Sequence, residues 1–156
     1  MIETLVKRAT CSIHCGDGQG TGWLVTNSLV ITAYHCIFDS IDNNAPIILK
    51  FEIDGEPKEV KATLKAADQN NDICILVSEQ SLNIEPLSLS QHLPPEGSEF
   101  FSYGFPITKL SVGHIVRGEV CSGQLKLATF LAFTQYRRSD SLGVRPPLYQ
   151  CGLRWL

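Results

Sequence analysis

Two side chains in the sequence, His35 and Asp72, have the types and surroundings needed for proton transfer. His35 follows the apolar run 29–31, and Asp72 directly precedes the apolar run 73–77. An imidazole titrates near neutral pH and serves as a general base. A carboxylate that accepts a hydrogen bond from one ring nitrogen selects the tautomer and stabilises the imidazolium. These are the residue types of a base oriented by an acid. The alternatives are a structural histidine and a turn aspartate, and Asp68 is a second candidate for the acid.

Short strands separated by turns make up the elements that would position these side chains. Glycines in the stretch 16–20 indicate a turn, since glycine adopts positive φ at no steric cost. The stretch 94–97, rich in Pro and Gly, indicates a connector. It divides the chain into an N-terminal lobe, 1–93, which suits a small closed antiparallel barrel, and a C-terminal lobe, 94–156. We expect strands at 10–15, 23–26, 29–31, 47–53, 58–66 and 73–77, and beyond the connector at 99–103, 114–121 and 125–133.

Three stretches of the sequence resemble the trypsin-like serine peptidases. Residues 20–36 run from Gly-Thr-Gly-Trp to Thr-Ala-Tyr-His-Cys, and the resemblance gives His35 the role of general base. Residues 72–76, Asp-Ile-Cys-Ile-Leu, are similar to the family's Asp-Ile-Ala-Leu-Leu element and give Asp72 the role of the triad acid. Residues 102–106 are similar to a turn in bacterial members. The resemblance implies an all-β fold of two antiparallel six-stranded barrels, the second incomplete.

The sequence departs from the family's pattern at the nucleophile. The family's serine lies in Gly-x-Ser-Gly-Gly/Ser-Pro, whose glycines let backbone N–H groups stabilise an oxyanion, and this string is absent from the sequence. The nearest match is Ser141, in Asp-Ser-Leu-Gly, with a turn serine as the alternative interpretation. Cys151, which Gly152 follows, resembles the Cys-Gly of viral cysteine peptidases of the same fold and is a second candidate.

The last part of the chain differs in charge from the rest. Residues 1–120 contain 8 Lys and Arg and 15 Asp and Glu, whereas residues 121–156 contain 5 and 1, so the net charges are −7 and +4. Only 15 residues follow Ser141, where the family places two more strands. These features lead to the hypothesis of a divergent or truncated C-terminus.

Composition and charge restrict the possible partners. A net charge of −3 gives no general attraction to nucleic acid or to an anionic membrane. No run approaches the roughly 18 apolar residues of a membrane span, and the first residues lack a signal pattern, which predicts a cytoplasmic chain similar to the intracellular bacterial members. No C-x-x-C pair or phosphate-binding loop occurs, so we expect no metal and no cofactor. The expected partner is a protein or peptide substrate, and the oligomeric state is left open.

The six cysteines are expected to be reduced thiols, several of them packed as small hydrophobic side chains. Cys74, inside the apolar run 73–77, is expected in the core. The alternative comes from the resemblance, which implies a disulfide between Cys15 and Cys36, as in secreted members.

The sequence thus predicts a serine endopeptidase in which His35, Asp72 and Ser141 form a catalytic triad. One alternative is an inactive or truncated pseudopeptidase domain that acts, if at all, as a binding module, and another is a β-barrel binding module with chance matches. The first two share a fold, so only the nucleophile separates them.

Overall fold

The computed structural model describes residues 2–91, 94–95, 97–105, 113–119, 130–132 and 154–155. The helices are α1 (Ile2–Ala9) and α2 (Phe38–Asn43), and a 3-10 turn, Tyr34–Ile37, precedes α2. The strands are β1 (Thr10–Cys15), β2 (Gly18–Leu24), β3 (Leu29–Thr32), β4 (Ile47–Ile53), β5 (Glu56–Asp68), β6 (Ile73–Ser78), β7 (Glu99–Gly104), β8 (His114–Glu119), β9 (Phe130–Ala132) and β10 (Arg154–Trp155).

The first six strands close into an antiparallel barrel in the order β1-β2-β3-β6-β5-β4. Strand β1 pairs with both β2 and β4, so the barrel has no free edge. Asp54 and Gly55 join β4 to β5 with φ of 54° and 86°, as a two-residue hairpin turn of this hand requires. The predicted closed antiparallel barrel of the first lobe is confirmed.

Alternating side chains fill the interior of the barrel. Strand β4 buries Ile47, Leu49 and Phe51, and β6 buries Cys74 and Leu76, because successive side chains of a strand point to opposite faces. Each fully buried side chain of this size contributes roughly 1.5–3 kcal/mol. The core position predicted for Cys74 is confirmed, since its side chain is fully buried. A packed barrel of this kind holds the strand ends, and the residues next to them, in fixed positions.

The predicted turn at 16–20 is wrong in its second half, because β2 already begins at Gly18. Asp39 of α2 stabilises the short turn before β2. Its Oδ2 accepts hydrogen bonds from the backbone N–H groups of Asp17 at 2.8 Å and Gly18 at 3.2 Å. Strand β5 is also longer than the predicted 58–66, and its pairing with β6 shifts register between Leu64 and Ala66.

Beyond the barrel, the part of the chain that the structure describes forms two pairs of antiparallel strands, β7 with β8 and β9 with β10. The strand predicted at 99–103 is found as β7, and β8 begins at the predicted residue, His114. Helix α1 was not predicted from the sequence. It has Glu3 in its first turn and Lys7 and Arg8 in its last, a distribution that suits the helix dipole. The lobe boundary at 93/94 stays a prediction.

The implied disulfide between Cys15 and Cys36 is wrong. Cys15 is a free, buried thiol, as are Cys11 and Cys74, and it lies against the backbone of Ser40. Cys36 is disulfide-bonded, and its partner is therefore none of these three. The expectation of reduced thiols holds for Cys11, Cys15 and Cys74 and fails for Cys36.

Candidate active site

Strand pairing determines where His35 and Asp72 lie. His35 belongs to the 3-10 turn that follows β3, and Asp72 is the residue before β6. Strands β3 and β6 are antiparallel neighbours in which Thr32 is paired with Cys74. The chain leaving β3 and the chain entering β6 therefore meet at the same end of the barrel, although the two residues are 37 positions apart.

The carboxylate of Asp72 contacts His35 through both of its oxygens. The Nδ1 atom of the ring lies 2.6 Å from Oδ2, and the backbone N–H of His35 donates to Oδ1 at 3.0 Å. The backbone N–H of Tyr34 donates to the main-chain oxygen of Asp72 at 3.3 Å. These three contacts fix the ring and its peptide against the same residue, so the imidazole has a defined orientation.

Asp72 reaches this position through a tight turn. Its φ is 54°, in the left-handed region that Asp tolerates better than most residues, and its N–H donates to the oxygen of Gln69 at 3.3 Å. The carboxylate of Asp68 binds Asn71 instead, with its oxygens 3.1 Å from the backbone nitrogen and 2.7 Å from Nδ2. The structure thus brings Asp72, rather than the alternative acid Asp68, to His35.

The electrostatics indicate an ionised carboxylate beside the ring. Burial acts to raise the pKa of Asp72, but the hydrogen bonds from the ring and backbone of His35 outweigh it, and the pKa lies below its ordinary value of 3.8. An ionised carboxylate only accepts hydrogen bonds, so Nδ1 must carry the proton of the 2.6 Å contact. In the neutral ring, Nε2 then has the lone pair, which is the arrangement of a general base.

A second support for the site was missed by the sequence analysis. The hydroxyl of Thr32, three residues before His35, is buried and donates to the main-chain oxygen of Thr21 at 2.8 Å. This bond ties the end of β3 to β2 and so steadies the segment that leads to the ring. Thr32 and Thr21 lie within the recognised motif, but nothing in the sequence distinguishes a buried hydroxyl from an exposed one.

The two candidate nucleophiles, Ser141 and Cys151, lie outside the described residues. Among the residues that the structure describes, there is no group of three or more His, Cys, Asp or Glu side chains placed to hold a metal ion. Within the same residues, no helix has both the length and the apolar character that crossing a membrane requires.

Known structures share this fold. The crystal structure of Deg5 superposes with a TM-score of 0.62 and 19% sequence identity, over 76% of this chain and 60% of that one. The serine endoprotease from Yersinia pestis gives 0.64 and 16%, over 78% of this chain and 43% of its own. The MamO protease domain from Magnetospirillum magneticum, in its apo form, gives 0.62 and 18%, over 86% and 68%. At these identities the likeness shows the fold alone, and the chain spans less than two thirds of the first two structures.

No curated protein matches the chain significantly. The family profile of the trypsin-like peptidase domain, however, matches residues 20–142. This range is most of the chain, and it includes His35, Asp72 and Ser141. The protein therefore belongs to the trypsin-like peptidase family.

Proposed function

We propose that this protein is a serine endopeptidase that hydrolyses peptide bonds of a protein or peptide substrate through His35, Asp72 and Ser141. The observation that carries the proposal is the contact between His35 and Asp72, in which Nδ1 lies 2.6 Å from Oδ2. In a chain of this family, an imidazole held by a carboxylate at a strand end is an arrangement suited to activating a hydroxyl.

In the proposed reaction, the Oγ atom of Ser141 attacks the carbonyl carbon of the scissile peptide while Nε2 of His35 accepts the hydroxyl proton. Asp72 stabilises the resulting imidazolium through the hydrogen bond to Nδ1. His35 then returns the proton to the leaving amine as the C–N bond breaks, which leaves an acyl group on Ser141. Water, activated by the same ring, hydrolyses this ester and restores the serine.

The assignment of Ser141 is supported by its order after His35 and Asp72 and by the family profile, which extends to residue 142. It also requires that the C-terminal lobe bring Ser141 to the end of the barrel where the ring lies. We propose that β7 and β8 belong to an incomplete second barrel that does this. The cytoplasmic location and the absence of a cofactor stay predictions.

Labelling with a fluorophosphonate tests the proposal, because the activated serine oxygen attacks phosphorus and displaces fluoride. The wild-type chain should be labelled, and peptide mapping should find the label on Ser141. Ser141→Ala and His35→Ala should abolish labelling, whereas Ser139→Ala, a matched change two residues away, should leave it intact. An unlabelled wild type would refute the proposal in favour of an inactive relative, and a label on another residue would refute Ser141.

A further inference from the structure

One hydrogen bond to a buried side chain joins the barrel to the strand pair beyond the connector. The backbone N–H of Phe105, at the end of β7, donates to Oγ1 of Thr21 in β2 at 2.9 Å. Thr21 has no exposed surface. A bond that joins residues 84 positions apart and whose acceptor side chain is buried constrains the position of β7 on the barrel.

The same residue also holds the strand that leads to the catalytic base. The main-chain oxygen of Thr21 accepts the hydrogen bond from the Thr32 hydroxyl at 2.8 Å, and Thr32 lies three residues before His35. Thr21 therefore binds β3, the strand that leads to His35, with its carbonyl, and binds the end of β7 with its hydroxyl. The two bonds use different atoms, so a change of side chain can remove one and leave the other.

The contact between Thr21 and β7 depends on a glycine. A Cβ atom added to Gly104 would lie 3.1 Å from Oγ1 of Thr21, which is tighter than nine in ten real contacts of that kind, and 3.5 Å from its methyl carbon, an ordinary contact distance. Strand β7 approaches Thr21 this closely because residue 104 has no side chain. Gly104 and Thr21 thus together set the separation between β7 and β2.

Two contacts between α1 and this strand pair involve more exposed side chains. Glu3 of α1 pairs with Arg117 of β8, and their side chains are 38% and 69% exposed. The ammonium of Lys7 lies 5.9 Å from the centre of the Tyr103 ring. Exposed ion pairs contribute little, because solvent screens them and ordering both side chains costs entropy. Among the residues that the structure describes, Thr21 is the buried polar link between barrel and β7.

We infer that Thr21 is a positioning residue, whose hydroxyl sets β7 against β3, the strand that leads to His35. The inference rests on the proposed function, in which the base comes from the barrel and the nucleophile from the chain beyond residues 94–97. Such a site loses about 10²-fold in rate when its groups are misplaced by about 1 Å. A link at the junction of the two lobes therefore affects the reaction without touching the substrate.

The test compares Thr21→Val with Thr21→Ser in the full chain. Valine keeps the shape and the carbonyl but removes the acceptor for the Phe105 N–H, whereas serine keeps the hydroxyl. We expect valine to lower the maximal fluorophosphonate labelling rate by about ten- to a hundredfold and to speed amide exchange at residue 105 and across β7. In Thr21→Ser, the labelling rate and the amide exchange across β7 should stay within a few-fold of the wild type. Amides of the barrel should exchange as in the wild type in both variants.

The outcomes separate the inference from the proposed function. Labelling of Thr21→Val at the wild-type rate, or equal slowing in Thr21→Ser, overturns the positioning role while leaving the peptidase proposal intact. If the wild type is not labelled, the peptidase proposal fails, and amide exchange alone tests the link between Thr21 and β7. Faster exchange across β7 in Thr21→Val but not in Thr21→Ser supports the link. Unchanged exchange in Thr21→Val overturns it. If valine unfolds the barrel, Gly104→Ala, which crowds the same contact with Thr21 intact, replaces it in both measurements.

Discussion

Replacing Asp72 by asparagine should move the proton of the His35 ring from one nitrogen to the other. The carboxylate accepts two hydrogen bonds, from Nδ1 at 2.6 Å and from the backbone N–H of His35 at 3.0 Å. Asparagine has one acceptor oxygen and an NH₂ donor, so its NH₂ must face one of the two groups. The backbone donor cannot change, whereas the ring can. We therefore expect the amide oxygen to accept from the backbone and the NH₂ to donate to Nδ1, which places the ring proton on Nε2.

The loss of stability follows from replacing hydrogen bonds to a charged carboxylate by hydrogen bonds to a neutral amide. A hydrogen bond to a charged group contributes about 1.5–3 kcal/mol, and a neutral one about 0.5–1.5 kcal/mol. The Asp72 side chain is 37% exposed, so solvent screening places the loss near the lower end, about 1 kcal/mol in the free energy of unfolding. Asparagine also tolerates a φ of 54°, so no backbone strain is added. With the proton on Nε2, the ring cannot accept the serine proton, and the labelling rate should fall by about 10⁴-fold.

Nitrogen NMR of the imidazole measures the tautomer directly, without any need for activity. The wild type should show a protonated Nδ1, and Asp72→Asn should show a protonated Nε2, with urea denaturation giving the loss of stability. Asp68→Asn is the matched control, since Asp68 binds Asn71, and it should leave the ring unchanged. A ring in Asp72→Asn that still carries its proton on Nδ1 would refute the reasoning.

Three further predictions concern acid, thiols and packing. Because the pKa of Asp72 in the folded chain lies below 3.8, the ionised carboxylate stabilises the fold above pH 3.8, and this contribution is lost as the pH falls through the folded pKa. The urea midpoint of the wild type should therefore drop on acidification. A drop of the same size in Asp72→Asn would contradict this. Burial raises the pKa of Cys74 to about 12, with the charge of Asp72 adding to it, and burial also raises that of Cys11. Iodoacetamide should spare both in the native protein and modify both in urea, so native modification would count against the described core. A Cβ at Gly22 would lie 2.7 Å from Cγ1 of Val30, so Gly22→Ala should destabilise the chain by about 1–3 kcal/mol in urea denaturation. An unchanged urea midpoint would contradict this, because it would show that the neighbouring side chains move aside at no cost.

The sequence was sufficient to predict the barrel because local patterns, the alternation of apolar residues and the turn residues between strands, mark where its strands lie. Alternation in β4 and the Asp54-Gly55 turn determine a hairpin within a few residues of each other, and the apolar run 73–77 indicates a strand. The run also suggests burial on both faces, whereas only alternate side chains of β6 are buried. These signals are local, and the strand pairing then places His35 beside Asp72. The contact itself follows from the motif order together with the register of β3 and β6.

The parts that the sequence did not predict depend on contacts between distant residues. The length of the turn before β2 is set by the carboxylate of Asp39, a residue in a helix 21 positions away from Gly18. The family resemblance implies a bridge for Cys15, but its thiol lies against the backbone of Ser40. The link between Thr21 and Phe105 spans 84 positions. None of these pairings leaves a local pattern of apolar and polar residues, so only the folded structure identifies them.

The most direct measurement of the central claim is peptide-bond cleavage by the purified chain. A pool of defined peptides is incubated with wild type, His35→Ala and Ser141→Ala, and mass spectrometry counts new termini. The account predicts new amino and carboxyl termini with the wild type, and their loss in both variants. Absence of cleavage by the wild type, or cleavage that persists in His35→Ala, would contradict the claim that His35 acts here as the base of a serine peptidase.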